Sequence, residues 1–306
     1  MESGGASPMP SASASRTATS TPTLSSLGPN AASSTPKKTK ICVYCGSSTG
    51  KNPIYMETAR ELARVMAENN IGLVYGGGTV GLMGELARTL VSLAGPDAVH
   101  GIIPEALVRY ERDPHYTSWG KTQADKKVEA HAEGKAAPTN GSSSSSDTGP
   151  ADAAAAATNG TTVQKSGPHD EATPCGLAVP AESVFGKTTV VRDMHTRKRI
   201  MAQEVLEAGP GSGFIALSGG YGTFEELLET STWNQLGIHN KGVCVLNVNG
   251  FYDGLFSWIR TSVQEGFIFE GNAGIIAEAT TPADAVRALR EYQVAPSVLK
   301  LAWGKE

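Results

Sequence analysis

Two adjacent carboxylates, Glu225 and Glu226, stand directly behind the glycines Gly219, Gly220 and Gly222. The apolar run Gly213-Phe-Ile-Ala-Leu217 before them reads as a short buried strand, and Thr223, Glu225 and Glu226 read as the opening of a helix. A strand, a glycine turn and a helix start point backbone N–H groups at an anion. Glycine also lets a ligand approach the backbone closely. A carboxylate pair beside such a site adds acid–base capacity, so this stretch predicts binding and chemistry in one place. The bland alternative is a capping box over Thr223-Phe-Glu-Glu226, with Glu226 bonded back to the Thr223 N–H.

A second chemical set is Arg197, Lys198 and Arg199. Asp193 is the expected N-cap of a helix containing Met194 to Met201. Cations near a helix start face the positive end of the macrodipole, where they are disfavoured. Three of them there predict an anionic partner, carboxylate or phosphate; a solvated surface cluster is the alternative. A third set, Gly76-Gly-Gly-Thr-Val-Gly81, matches G-x-G-x-x-G between a strand and a helix. The dinucleotide fingerprint also needs an acidic residue ending the next strand, where this chain has Ile102-Ile-Pro104, and it belongs to a first strand rather than a second. NAD is therefore disfavoured. A nucleotide or phosphate contact is expected, with a purely structural tight turn as the alternative.

His195 has no partner at ligand spacing, so no metal is expected. No Ser-His-Asp arrangement is recognisable, and no lysine sits in a context that would hold a Schiff-base cofactor. No cofactor is predicted. Cys42-Val-Tyr-Cys45 spells C-x-x-C, but it lies in or at the end of a strand, where residues three apart point to opposite faces. Separate thiols in a reducing compartment are expected rather than a redox pair.

The elements that must position these residues alternate. Strands are predicted at Lys40 to Cys45, Ile71 to Tyr75, Ala98 to Ile103, Thr188 to Val191, Gly213 to Leu217, Gly242 to Val248 and Ile275 to Ala277, with helices between most of them. Residues 105–112 are expected as a short helical or turn piece carrying Glu111. The pattern predicts a single α/β domain, a doubly wound parallel sheet of Rossmann-like type. Sites in such sheets form at the carboxyl ends of the strands. Gly46 to Ser48, Gly76 to Gly78, Asp193 to Lys198 and Gly219 to Glu226 all fall on that rim.

Residues 1–36 are Ser-, Thr-, Ala-, Pro- and Gly-rich and are expected to be a disordered tail. The domain is expected over 37–306, interrupted by a low-complexity insertion at 119–180. What remains is roughly 200 residues, enough for one sizeable core. A net charge of −4 argues against binding nucleic acid through phosphates. No apolar run reaches the length of a membrane span, so no membrane partner is expected and the cytoplasm is the default location.

Taken together, Gly76-Gly-Gly-Thr-Val-Gly-Leu-Met-Gly84, Met194-His-Thr-Arg-Lys198 and Gly219-Gly-Tyr-Gly-Thr-Phe-Glu-Glu226 resemble the motifs of the LOG family, the cytokinin riboside 5′-monophosphate phosphoribohydrolases often misnamed lysine decarboxylases. Cys45-Gly-Ser-Ser48 fits the family's first loop, and the resemblance spans roughly 40–116 and 184–292. It implies a Rossmann-like homodimer that hydrolyses the N-glycosidic bond of N6-substituted AMP to free base and ribose 5-phosphate. Arg197 and Glu226 would be the catalytic pair. Ser47, Gly77, Gly78, Glu111, Lys198, Gly220, Tyr221, Gly222, Thr223, Phe224, Glu225 and Thr232 would join them in contacting the nucleotide 5′-monophosphate. The family usually has Pro where this chain has Ser218. The competing class is a non-enzymatic nucleotide- or molybdenum-cofactor carrier, which would need the glycine loops but not both Arg197 and Glu226.

Overall fold

A computed structural model of the protein describes residues 37–112, 170–172 and 178–301. The elements run β1 (Lys40–Tyr44), α1 (Ile54–Glu68), β2 (Gly72–Tyr75), α2 (Gly81–Ala94), β3 (Val99–Pro104), α3 (Glu105–Arg112), β4 (Asp170–Ala172), β5 (Ala178–Pro180), α4 (Glu182–Phe185), β6 (Lys187–Val191), α5 (Met194–Leu206), β7 (Gly213–Ala216), α6 (Tyr221–Gln235), β8 (Gly242–Leu246), α7 (Asp253–Gln264), β9 (Ile276–Ala279) and α8 (Pro282–Arg290). The expected tail and most of the 119–180 segment lie outside the described residues. At the far end of that segment, β4 and β5 pair as a two-stranded antiparallel ribbon.

The main sheet has seven parallel strands in the order β6-β3-β2-β1-β7-β8-β9. The expected doubly wound α/β architecture is therefore observed. From β1 the chain winds outward through β2, β3 and β6. It then returns to pair β7 on the other side of β1. The gap between the ends of β1 and β7 is the point where winding reverses, the place such sheets form ligand crevices.

Short apolar runs become strands buried on both faces because helices cover both sides. Ile41, Val43 and Cys45 pack toward α1, α2 and α8, while Cys42 and Tyr44 pack toward α5, α6 and α7. That alternation puts Cys42 and Cys45 on opposite faces, as the spacing predicts, and both are free thiols. Phe214 and Ile215 of β7 are fully buried, one to each layer. Each such side chain contributes about 1.5–3 kcal/mol by leaving water.

Register then fixes the site. Ile41 stands opposite Gly213 and Tyr44 opposite Ala216, so β1 and β7 finish level and their loops emerge side by side. The Leu217 N–H donates to the Tyr44 carbonyl at 2.9 Å, and the Gly46 N–H to the Ser218 carbonyl at 3.0 Å. Pro104 closes β3 opposite Val191 of β6, and α3 begins at the next residue.

Candidate active site

Helix α5 begins as its sequence dictates. Asp193 accepts the Thr196 N–H at 2.8 Å and the Thr196 hydroxyl at 2.9 Å. From this start Arg197, one turn in, turns inward and is only 8% exposed. A Cβ on Gly76 would lie 2.0 Å from Arg197 Nη2, so the absent side chain at the end of β2 is the space the guanidinium occupies.

Helix α6 brings the carboxylate. Its N-cap is Gly220, with no side-chain cap, and Tyr221 is its first residue. The capping box is not formed: Thr223 lies inside the first turn, and the Phe224 N–H bonds to the Gly220 carbonyl. Thr223 is buried, and a Cβ on Gly219 would come within 2.1 Å of its hydroxyl. Glu226 turns inward instead of back and is 9% exposed.

Arg197 Nη2 and Glu226 Oε1 are 3.6 Å apart, an ion pair too long for a hydrogen bond. Among the described residues the Arg197 Nε is buried without a partner, and Nη1 lies 3.6 Å from Met194 Sδ. A guanidinium offers five donors, so this one is held in place with donors to spare. Burial raises the Glu226 pKa; Arg197 pulls it back, Glu225 and Glu229 push it up, Lys198 pulls it down, and it reaches about 7. A carboxyl group poised near neutrality can serve as a base or an acid at physiological pH.

The two glycine turns differ in what they do. At the start of α2, the Leu82 and Met83 N–H groups both point to the Gly46 carbonyl, at 3.2 and 3.4 Å. The helix start behind G-x-G-x-x-G is thus engaged by the protein's own backbone. Gly77 has φ +74 and packs on Ile103; Gly81 packs on the Ser47 backbone. Gly77 and Gly81 thus pack within the fold, while Gly76, Gly78 and Val80 of the same turn line the cleft. At the start of α6, by contrast, a Cβ on Gly220 or Gly222 would meet nothing within 4 Å. Neither has a positive φ. Their bareness serves no contact among the described residues and leaves room over an uncapped helix end.

A cleft of about 440 Å³ joins these parts. Of the residues the sequence marks out, Ser47, Gly78, Arg197, Gly220, Tyr221, Gly222, Thr223, Glu225 and Glu226 line it. Gly77 lies behind it. Lys198 is tied to Glu225 and Glu229. Phe224 packs on Tyr252, with ring centroids 5.4 Å apart. Thr232 donates to the Leu228 carbonyl and lines a separate hollow with Trp258 and Ile268. Thr232 lies eleven positions beyond Tyr221, the first residue of α6, about 16 Å along a helix axis. Glu111 falls in α3, and its side chain lies outside the described residues. The sequence did not single out an apolar wall of Val80, Met83, Ile103, Leu107 and Met194. Only the i, i+3 spacing of Met194 and Arg197 could have signalled any part of it.

The fold and cleft together define a Rossmann-like α/β protein with a buried Arg–Glu pair facing an uncapped, glycine-lined helix start. A family model described as "Possible lysine decarboxylase" matches residues 151–289. A probable cytokinin riboside 5′-monophosphate phosphoribohydrolase of Oryza sativa subsp. japonica is 35% identical over 269 residues, covering 87% of this chain and 79% of that protein. One from Arabidopsis thaliana is 35% identical over 254 residues, covering 83% and 82%. The chain belongs to this LOG family of phosphoribohydrolases. A bifunctional cytokinin biosynthesis protein of Fusarium pseudograminearum is 43% identical over 254 residues, and this chain spans 40% of its length. A molybdenum cofactor carrier protein of Chlamydomonas reinhardtii aligns at 14% identity and a TM-score of 0.44, covering 83% of this chain and 98% of that one. At that distance the likeness carries no functional weight.

Proposed function

We propose that the cleft hydrolyses the N-glycosidic bond of N6-modified adenosine 5′-monophosphates, releasing the free base and ribose 5-phosphate. The observation that carries this is the buried Arg197–Glu226 pair beside the bare start of α6. The relatives named as phosphoribohydrolases support the same chemistry.

Breaking this bond makes the anomeric carbon positive, as in glycoside hydrolysis. The Glu226 carboxylate stabilises that charge and takes a proton from the attacking water. The water oxygen bonds to the sugar carbon, the carbon–nitrogen bond breaks, and its electron pair leaves with the purine, which gains the proton. Arg197 holds the ribose hydroxyls and orients Glu226, using donors left without a partner among the described residues. The amides at the start of α6, with Thr223, grip the 5′-phosphate. The apolar wall with its two methionines suits a purine carrying an apolar N6 substituent.

Arg197→Ala and Glu226→Ala, assayed by chromatography on N6-isopentenyl-AMP and on AMP, test the assignment. Each should lower kcat/KM by at least about a hundredfold while the protein stays folded. Near-native turnover in both would remove it. Tight nucleotide binding by the wild type without any base release would instead mark a carrier.

The working form in this reading is a homodimer in the cytoplasm. Trp258, Phe267 and Phe269 are 51%, 85% and 69% exposed, apolar surface that a second copy would cover. Sedimentation at the mass of one chain would rule the dimer out.

A further inference from the structure

We infer that Tyr252, fully buried and outside the cleft, is a positioning residue for substrate binding. It ties both ends of the turn between β7 and α6, and so holds the backbone amides that receive the 5′-phosphate.

The turn has little with which to hold itself. Gly219, Gly220 and Gly222 fall within it, and α6 starts without a side-chain cap. Glycine backbone has more freedom to lose than any other. Amides bind an anion well only when they are already aimed, because ordering them on binding costs affinity. The order has to come from outside the turn.

Tyr252 supplies it from the connection between β8 and α7. Asn247, the residue after β8, fixes its place. The Asn247 N–H donates to the Ala279 carbonyl at 2.7 Å, and its Nδ2 to the Asp253 and Glu278 carboxylates at 2.8 and 2.6 Å. Its Oδ1 accepts the Tyr252 N–H at 2.7 Å. From this anchored backbone the Tyr252 hydroxyl donates to the Leu217 carbonyl at 2.7 Å. Leu217 is the residue between β7 and Ser218, and its N–H is already held by the Tyr44 carbonyl of β1. Burial pushes the Tyr252 pKa up, so the phenol keeps the proton it donates. The same ring packs on Phe224, with centroids 5.4 Å apart. Phe224 follows Thr223 in the first turn of α6. One side chain thus grips the chain at Leu217 and at Phe224, and residues 218–223 between them are the turn. Phenylalanine at 252 would fill the same core space, but only the hydroxyl reaches Leu217.

Tyr252 has this role only if the 5′-phosphate lies at the start of α6, as proposed above, and the test separates the two. KM and kcat are measured for N6-isopentenyl-AMP and for its riboside in the wild type, Tyr252→Phe and Tyr292→Phe. Ribose 5-phosphate binding is followed in parallel by calorimetry. Tyr292→Phe controls for lost stability, since its hydroxyl bonds to Asn234 at the far end of α6. Tyr252→Phe leaves the buried Leu217 carbonyl without its donor, a loss on the scale of about tenfold in an equilibrium. It should raise KM for the monophosphate, and weaken ribose 5-phosphate, by about tenfold. Its kcat should stay within about twofold, with the riboside little changed. Tyr292→Phe should alter none of these. A Tyr252→Phe protein that loses stability but keeps the monophosphate preference would overturn the inference and leave Tyr252 a core residue. So would a fall in kcat with KM unmoved. If Tyr252→Phe fails to fold, Phe224→Leu, which loosens the other end of the turn, decides: an unmoved KM and an unmoved ribose 5-phosphate affinity overturn it. A wild type that treats monophosphate and riboside alike removes the phosphate from α6, and this role of Tyr252 with it.

Discussion

A side chain on Gly76 would stand 2.0 Å from the Nη2 of Arg197. Gly76 directly follows β2 on the rim of the sheet, and Arg197 arrives from α5. The guanidinium is confined between this bare backbone and Glu226. Gly76→Ala should therefore displace the guanidinium by roughly a bond length, and displacements of that size in a site can cost up to a hundredfold in rate. The obstructed atom is the end of a flexible side chain, so the fold should tolerate the change. We expect kcat/KM to fall at least tenfold with little change in melting temperature. Unchanged kinetics would mean that the position of Arg197 is not critical.

Glu226 gives stability a distinctive pH dependence. Burial lifts its pKa from the ordinary 4.5 to about 7. The folded protein thus binds this proton more tightly than the unfolded chain does. The resulting stability is fully present below pH 4.5 and is lost as pH rises through 7. Two and a half pH units correspond to about 3 kcal/mol over the full range. Between pH 5 and pH 8 the wild type should lose roughly 2 kcal/mol more than Glu226→Gln, measured by urea unfolding. Parallel pH profiles for the two proteins would contradict the buried, proton-holding state of Glu226.

Gly222 separates folding from binding. It is the second residue of α6, and a Cβ there meets nothing within 4 Å. Alanine is the better helix former, by up to about 1 kcal/mol. Gly222→Ala should leave the melting temperature unchanged or raised. The methyl group would nevertheless occupy the space assigned to the 5′-phosphate. We expect KM for the monophosphate to rise at least tenfold, with little change for the corresponding riboside. An unaltered KM would place the phosphate elsewhere.

Much of this protein could be read from neighbours along the chain. Apolar runs of four to six residues between helical stretches implied a parallel sheet, since only strands covered on both faces read that way. Asp193 caps α5 as its type and place require, because a cap is made within three residues of itself. The opposed faces of Cys42 and Cys45 follow from the two-residue period of a strand. The cleft's location at strand ends followed from the alternation of elements.

The tertiary structure alone decided which of two local options each ambiguous segment took. Thr223-x-x-Glu226 fits a capping box equally well, and it is the buried Arg197 across the cleft that faces Glu226 in place of the cap. G-x-G-x-x-G permits a phosphate turn; only the fold shows that the Gly46 carbonyl takes the Leu82 and Met83 N–H groups while Gly76 and Gly78 line the cleft. The sequence leaves Lys198 between an anionic partner and a solvated surface, and only the fold brings Glu225, 27 residues on, to its ammonium. Periodicity and capping report what a residue does within a turn or a pleat of itself. Which distant group shares its space depends on strand order and register, and those are set by how the whole sheet buries its faces.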